Sequence, residues 1–280
     1  MTRKNSWLAW LPAIWFMAFL LGPLAMIMVA SFASRGVYGG IEWNFGFENY
    51  LRAFAPLYAS IFLRSFVLAL MTSFFCLAVG FPLAMTMATA TRRLRMLTLA
   101  ALAIPFLTNL IIRVCGLKAL TATDGPLSAF LSTIGIKHDP FSLSQNTFLV
   151  MFGMTSTYLP FMVFPLFGAI ERFDFTLIEA AEDLGASHWQ AMCKVLVPAL
   201  RLPLASGFVL VFIPTLGEFV IPDLLGGAKV MLAGNLISDQ FLKARDWPFG
   251  SALSVLLVAL MSAIIYGIDG LGRARNRSDW

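Results

Sequence analysis

Long apolar runs, each nearly free of charge and closed by charged clusters, divide the chain. They lack the 3.6-residue or two-residue alternation of elements with one wet face. Four are clear, at residues 7–32, 66–91, 148–170 and 249–268. Two are interrupted: 96–117 by Asn109 and Arg113, and 202–225 by Glu218 and Asp223. A helix needs roughly 20 apolar residues to cross a hydrocarbon core about 30 Å thick, so the pattern predicts an all-α polytopic membrane protein with six transmembrane helices. Interrupted runs are expected to face protein or water rather than lipid. The first run follows Arg3 and Lys4 and ends near small residues at 30–33, as a cleaved signal would. Its length exceeds the usual 7–15-residue signal core, so it reads as a retained span.

Composition sharpens this reading. Of the 280 residues 59% are hydrophobic and 12% charged, about half the charge of a soluble domain. A water-soluble fold could not cover that much apolar surface. With both termini in the cytoplasm, the inner side holds Arg3, Lys4, Arg92, Arg93, Arg95, Arg172, Lys194, Arg201, Arg273, Arg275 and Arg277. The outer side holds Arg35, Arg52, Arg64, Lys118, Lys137, Lys229, Lys243 and Arg245, and Arg113 falls within a span. The tight clusters at 92–95 and 273–277 are both inside, as the positive-inside rule requires. The net charge of +5 is therefore topological, and no nucleic-acid partner follows from it. Cys76, Cys115 and Cys193 are scattered, as are His138 and His188, so neither a metal site nor another cofactor is expected. No low-complexity linker divides residues 1–280, which read as one domain. The outer segments contain a turn at Asp124-Gly125-Pro126, followed by a short apolar stretch to Ile134, and a mixed loop over 226–247. Either could form an outer mouth.

The longest inner segment, 171–201, is too polar for lipid and too patterned for a linker. Thr176 and Glu179 have capping-box spacing, so a helix is expected to start there. It would run through Ala180, Ala181, Glu182, Asp183 and Leu184 and stop at Gly185, the residue type that enters the left-handed region without strain. Ser187 and Gln190 repeat the spacing, and a second short helix should run toward Val197 and stop at Pro198. Two short helices joined at a glycine make a bent element, with Ala180 and Ala181 small enough to let another surface approach. On these signals alone, a docking element and a self-capped loop are both open.

The run EAAEDLGASHWQAMCKVLVP resembles the EAA motif of ATP-binding-cassette importer permeases. Glu179, Ala180, Ala181, Gly185, Val195 and Pro198 occupy its positions, and Val197 stands where leucine is usual. The resemblance implies the type I importer-permease fold, in which this loop is a coupling helix seated in a groove of a separate ATPase. Glu179, Ala180, Ala181, Asp183, Leu184 and Gly185 would make that contact. Residues 105–120, 159–171, 222–229 and 245–250 further resemble permeases of spermidine/putrescine importers, nearer the B-type of the two. That likeness implies a bacterial inner membrane, a second permease completing a heterodimer, an ATPase dimer and a periplasmic polyamine-binding protein.

A charge at the centre of a spanning helix costs about 2.5–3.5 kcal/mol on insertion scales, so it persists where something compensates it. Glu218 and Asp223, with Pro222 between them and Phe219 offering an aromatic face, are the expected substrate-pathway residues for a flexible polycation. The chain is expected to be locally unwound there. Alternatively Glu218 pairs with Arg113 or with the partner subunit as structural glue; Arg113 itself is expected to point at a carboxylate or a helix end. Asp246 and Trp247 form a second acid-aromatic pair, with Trp247 as an interfacial anchor. No GxxxxGK[ST] loop is present, so ATP hydrolysis by that route belongs to another subunit. A self-sufficient secondary transporter or channel would need paired internal repeats, and a membrane enzyme a motif such as HExxH or GxSxG. Neither pattern stands in the chain.

Overall fold

A computed structural model describes residues 6–37, 39–122, 124–134, 146–227 and 230–276, except the side chains of 6–9, 11, 13, 131, 132 and 268–276. Arg3, Lys4, Lys137, His138, Lys229 and Arg277, and the side chains of Arg273 and Arg275, lie outside the described residues.

All six apolar runs are helical. In chain order the elements begin with α1 (Ser6–Ala30), a two-residue ladder of β1 (Ser34–Arg35) and β2 (Ile41–Glu42), α2 (Glu48–Ala53) and α3 (Pro56–Thr89). Next come α4 (Arg92–Leu107), α5 (Leu110–Leu120), α6 (Pro126–Thr133) and α7 (Thr147–Ile170). The chain continues with α8 (Thr176–Asp183) and with α9 (His188–Ala199), which carries a π-helical turn at Met192–Leu196. It ends with α10 (Arg201–Gly217), α11 (Val220–Leu225), α12 (Ala233–Leu242) and α13 (Trp247–Asn276).

Helices α3, α7 and α13 are each long and apolar enough to cross a membrane unbroken. Helix α3 starts ten residues before the apolar run predicts, because Pro56 is favourable as a first helical residue, where its missing N–H has no partner to lose. The two interrupted runs are not single helices. The run 96–117 is split into α4 and α5, bent by 98° at the break, and 202–225 into α10 and α11.

Two compact units make up the chain. One comprises Met1–Ile61 with Leu236–Ala263. In it β1 and β2 pair antiparallel, with Ser34 opposite Glu42 and Arg35 opposite Ile41. Arg52 of α2 donates to the buried Asp246 carboxylate at 2.8 Å, and its guanidinium lies 3.9 Å from the Phe249 ring centroid. The other Asp246 oxygen accepts the Phe249 N–H, capping α13. Asp246 is thus a structural acid. Trp247 beside it is half exposed.

The other unit comprises Phe62–Asn235 with Ile264–Trp280. Its apolar cluster runs from Leu68, Cys76 and Met87 of α3, through Met154, Met162 and Leu166 of α7, to Val211, Ile221 and Leu225 of α10 and α11. Gly207 lets α10 approach Met162 of α7, whose sulfur lies 2.9 Å from where a Cβ would sit. Helix α4, by contrast, has no buried residue.

Candidate functional site

The break in the fifth run places both pathway acids. An unbroken helix would need an N–H at position 222 donating to the Glu218 carbonyl, and proline both lacks it and clashes there. The helix stops instead at Gly217, Glu218 turns extended (ψ 133°), and Pro222 falls in the first turn of α11, where no N–H is required. The unwound residues are therefore 218–219, at the start of the segment expected to unwind between Glu218 and Asp223. Glu218 is 8% exposed. Its Oε1 accepts from the backbone N–H groups of Phe219, Val220 and Ile221 at 3.0, 2.8 and 3.3 Å. Its Oε2 accepts from the Tyr158 hydroxyl of α7. The expected partner Arg113 is not among these groups.

Three further residues hold the break. Asn235 donates to the Phe219 carbonyl at 2.8 Å. Gly234 packs so tightly that a Cβ there would lie 2.5 Å from the Gly217 carbonyl oxygen, so no other residue fits. The Ser65 hydroxyl accepts the Ala233 N–H at 2.7 Å. Sequence reasoning missed Tyr158 and Asn235. A lone tyrosine hydroxyl within a Phe-rich apolar run was the signal for the first, since a buried hydroxyl needs a partner.

Asp223 and Phe219 behave differently from Glu218. Both are exposed and lie one turn apart, the Asp223 N–H donating to the Phe219 carbonyl at 3.1 Å. The acid and the ring therefore share a side of α11.

Arg113, on α5, donates to the Phe106 and Thr108 carbonyls at 3.3 and 3.1 Å. It satisfies the end of α4, which meets the helix-end expectation. Asn109 caps α5 by accepting the Ile111 N–H at 2.8 Å.

The 171–201 segment folds as two short helices about Gly185. Its first cap differs from expectation: Thr176 and Glu179 do not form a box. Asp174 accepts both the Thr176 N–H at 3.1 Å and its hydroxyl at 2.7 Å, and these bonds hold the Asp174 carboxyl below the usual carboxylate range. An acid just before a helix outcompetes a threonine inside it. At the other end Gly185 has φ +90°. The Ala186 N–H donates to the Ala181 carbonyl and the Gly185 N–H to that of Glu182, the paired bonds of a Schellman end. Ser187 and Gln190 form the reciprocal capping box. Pro198 does not end the second helix: the widened turn at Met192–Leu196 carries the helix past it, and the bend comes at Leu200, 69° into α10.

Ile178 and Leu196 are buried in the unit's apolar cluster, and Ala181 is partly buried against it. Of the expected contact residues, Glu179, Ala180, Asp183, Leu184 and Gly185 are exposed. Ala181 is half turned inward, so the two alanines do not present one common surface. Leu177, Ala180 and Leu184, at i, i+3 and i+7, instead line one exposed apolar stripe. Glu182 pairs with His188 across the turn at 2.7 Å.

Residues 77–277 match the family described as "Binding-protein-dependent transport system inner membrane component". The chain belongs to this family. This inner membrane component is 39% identical over 251 residues to the Spermidine/putrescine transport system permease protein PotB of Escherichia coli (strain K12), covering 90% of this chain and 91% of that one. It is 37% identical over 263 residues to the protein of the same name from Haemophilus influenzae, covering 94% and 92%. In fold, the inner membrane component is similar to a chain in the crystal structure of a bacterial alginate ABC transporter in complex with an alginate pentasaccharide-bound periplasmic protein. The TM-score is 0.79 at 19% identity, over 97% of this chain and 96% of that chain.

Proposed function

We propose that this chain is the membrane-spanning permease subunit of an ATP-driven polyamine importer, with both termini in the cytoplasm. The observation that carries the substrate class is the likeness to spermidine/putrescine permeases over nine-tenths of the chain. Its partners are a second permease that completes the pathway, a dimeric ATPase and a periplasmic polyamine-binding protein. Segment 171–201 receives the ATPase. In support, Leu177, Ala180 and Leu184 form an exposed apolar stripe flanked by Glu179 and Asp183, a pattern suited to a groove with an apolar floor and a basic rim. ATP-driven closure of the ATPases moves this element, and the bundle alternates between its two openings.

Within the pathway, Asp223 is the acid that meets the cation and Phe219 supplies the ring face for its amines and methylenes. Glu218 acts one step back: four donors engage it, and it fixes the break that presents Phe219 and Asp223. Affinity resides mainly in the delivery protein, because a permease that held its cargo tightly would release it slowly.

The test is uptake of radiolabelled spermidine into proteoliposomes containing the complete complex and the loaded binding protein. Asp223→Asn is expected to lower uptake about tenfold, the equivalent of about 1.4 kcal/mol, with the complex still assembled. Unchanged uptake removes Asp223 from the pathway, and ATP-dependent uptake by this chain alone overturns the subunit reading.

A further inference from the structure

Of the three arginines at the start of α4, Arg92 and Arg93 are exposed, whereas Arg95 is partly buried and engaged on every side-chain nitrogen. Its Nε donates to the Met87 carbonyl at 3.2 Å and its Nη2 to the Ala88 carbonyl at 3.1 Å. These oxygens are among the last four carbonyls of α3, which have no acceptor role inside their own helix and attract a cation. Its Nη1 donates to Glu171 at 2.5 Å, and its guanidinium lies 5.6 Å from the Phe167 ring centroid of α7. Glu171 is the residue that ends α7 and the first of segment 171–201. One planar fork in the first turns of α4 thus joins the end of α3, the end of α7 and the entry to the bent element.

Only the guanidinium provides this geometry, since a lysine ammonium is a single point of attachment. The ties also lie where motion has to divide. Ile178 and Leu196 of the bent element are buried in one cluster with Met87 of α3 and Ile170 of α7. Helix α4 has no fully buried residue and meets that cluster only through the partly buried Leu99 and Leu102. Arg95 supplies a polar tie at its start.

We propose that Arg95 is a positioning residue for energy coupling, which makes α4 and the end of α3 follow displacements of segment 171–201. The inference rests on the importer reading above. Without the fork, the ATPase still docks and turns over, but its movement reaches α4 incompletely and cycles pass without transport. The quantity that reports this is solute imported per ATP hydrolysed, which a purely structural role would leave unchanged in whatever complex survives.

The experiment measures spermidine uptake and phosphate release side by side in proteoliposomes of the complete complex. Arg95→Ala is expected to keep hydrolysis stimulated by the loaded binding protein while uptake per ATP falls about tenfold, within the range of site-to-site coupling energies. Arg95→Lys is expected to fall between the two. Glu171→Gln removes the charge pair and leaves both carbonyl contacts; it is expected to lower the ratio in the same direction by less, and it decides the matter if Arg95→Ala does not assemble. A ratio unchanged in Glu171→Gln and in every assembled Arg95 variant overturns the proposal. Absence of ATP-dependent spermidine uptake by the wild-type complex would instead overturn the importer reading, so the two failures are distinguishable.

Discussion

The two broken runs meet one problem with different chemistry. Between α4 and α5 the break is exposed: Thr108 and Asn109 turn extended (ψ 152° and 133°), Asn109 caps the following helix, and Arg113 reaches back to the carbonyls of the preceding one. Between α10 and α11 the break is buried, and one carboxylate takes three backbone N–H groups and a tyrosine hydroxyl. Where water or a neighbouring chain can share the load, modest polar groups suffice. Inside the fold every donor needs an acceptor, and one carboxyl group offers two oxygens that can serve several donors at once. An intramembrane acid is therefore not in itself a substrate contact: Glu218 is consumed by the fold, whereas Asp223, five residues on, is exposed.

Substitutions at the two breaks can pull this contrast apart. The largest effect is expected for Glu218→Ala, which leaves three N–H groups and the Tyr158 hydroxyl without their acceptor. A loss on the order of 3 kcal/mol or more follows from the cost of unsatisfied buried donors. It reads as a markedly lower melting temperature of the detergent-purified complex, with Glu218→Gln intermediate; wild-type melting would show that the break does not depend on the carboxylate. Arg113→Ala frees two carbonyls that water or neighbours can reach, so a loss of about 1 kcal/mol is expected in the same assay. Asn109→Ala should cost least, about 0.5–1 kcal/mol, as for an exposed cap. If Asn109→Ala or Arg113→Ala equals Glu218→Ala, burial is not what separates the breaks.

Much of the fold was legible because membrane spans are written in long runs. The run 148–170 became α7 with a boundary shifted by one residue, Thr147–Ile170. Gly185 was readable as a helix stop because its φ of +90° suits few other residues. What local pattern could not give were choices settled by competition or by partners distant in sequence. Asp174 displaced the Thr176–Glu179 box because a charged acceptor just outside the helix takes the Thr176 N–H and its hydroxyl together. Pro222 signalled unwinding between Glu218 and Asp223, and the break falls at the start of that segment because proline acts on the residue four before it. Glu218 and Asp223 looked equivalent as interruptions. Tyr158, sixty residues away, separates them, and no periodicity records that contact.

At the turn that closes α8, Leu184 is 90% exposed. Whatever covers that side chain gains about 2 kcal/mol from it alone. Left uncovered, it is an apolar tip held out at the turn, and any surface that seats it removes that area from water.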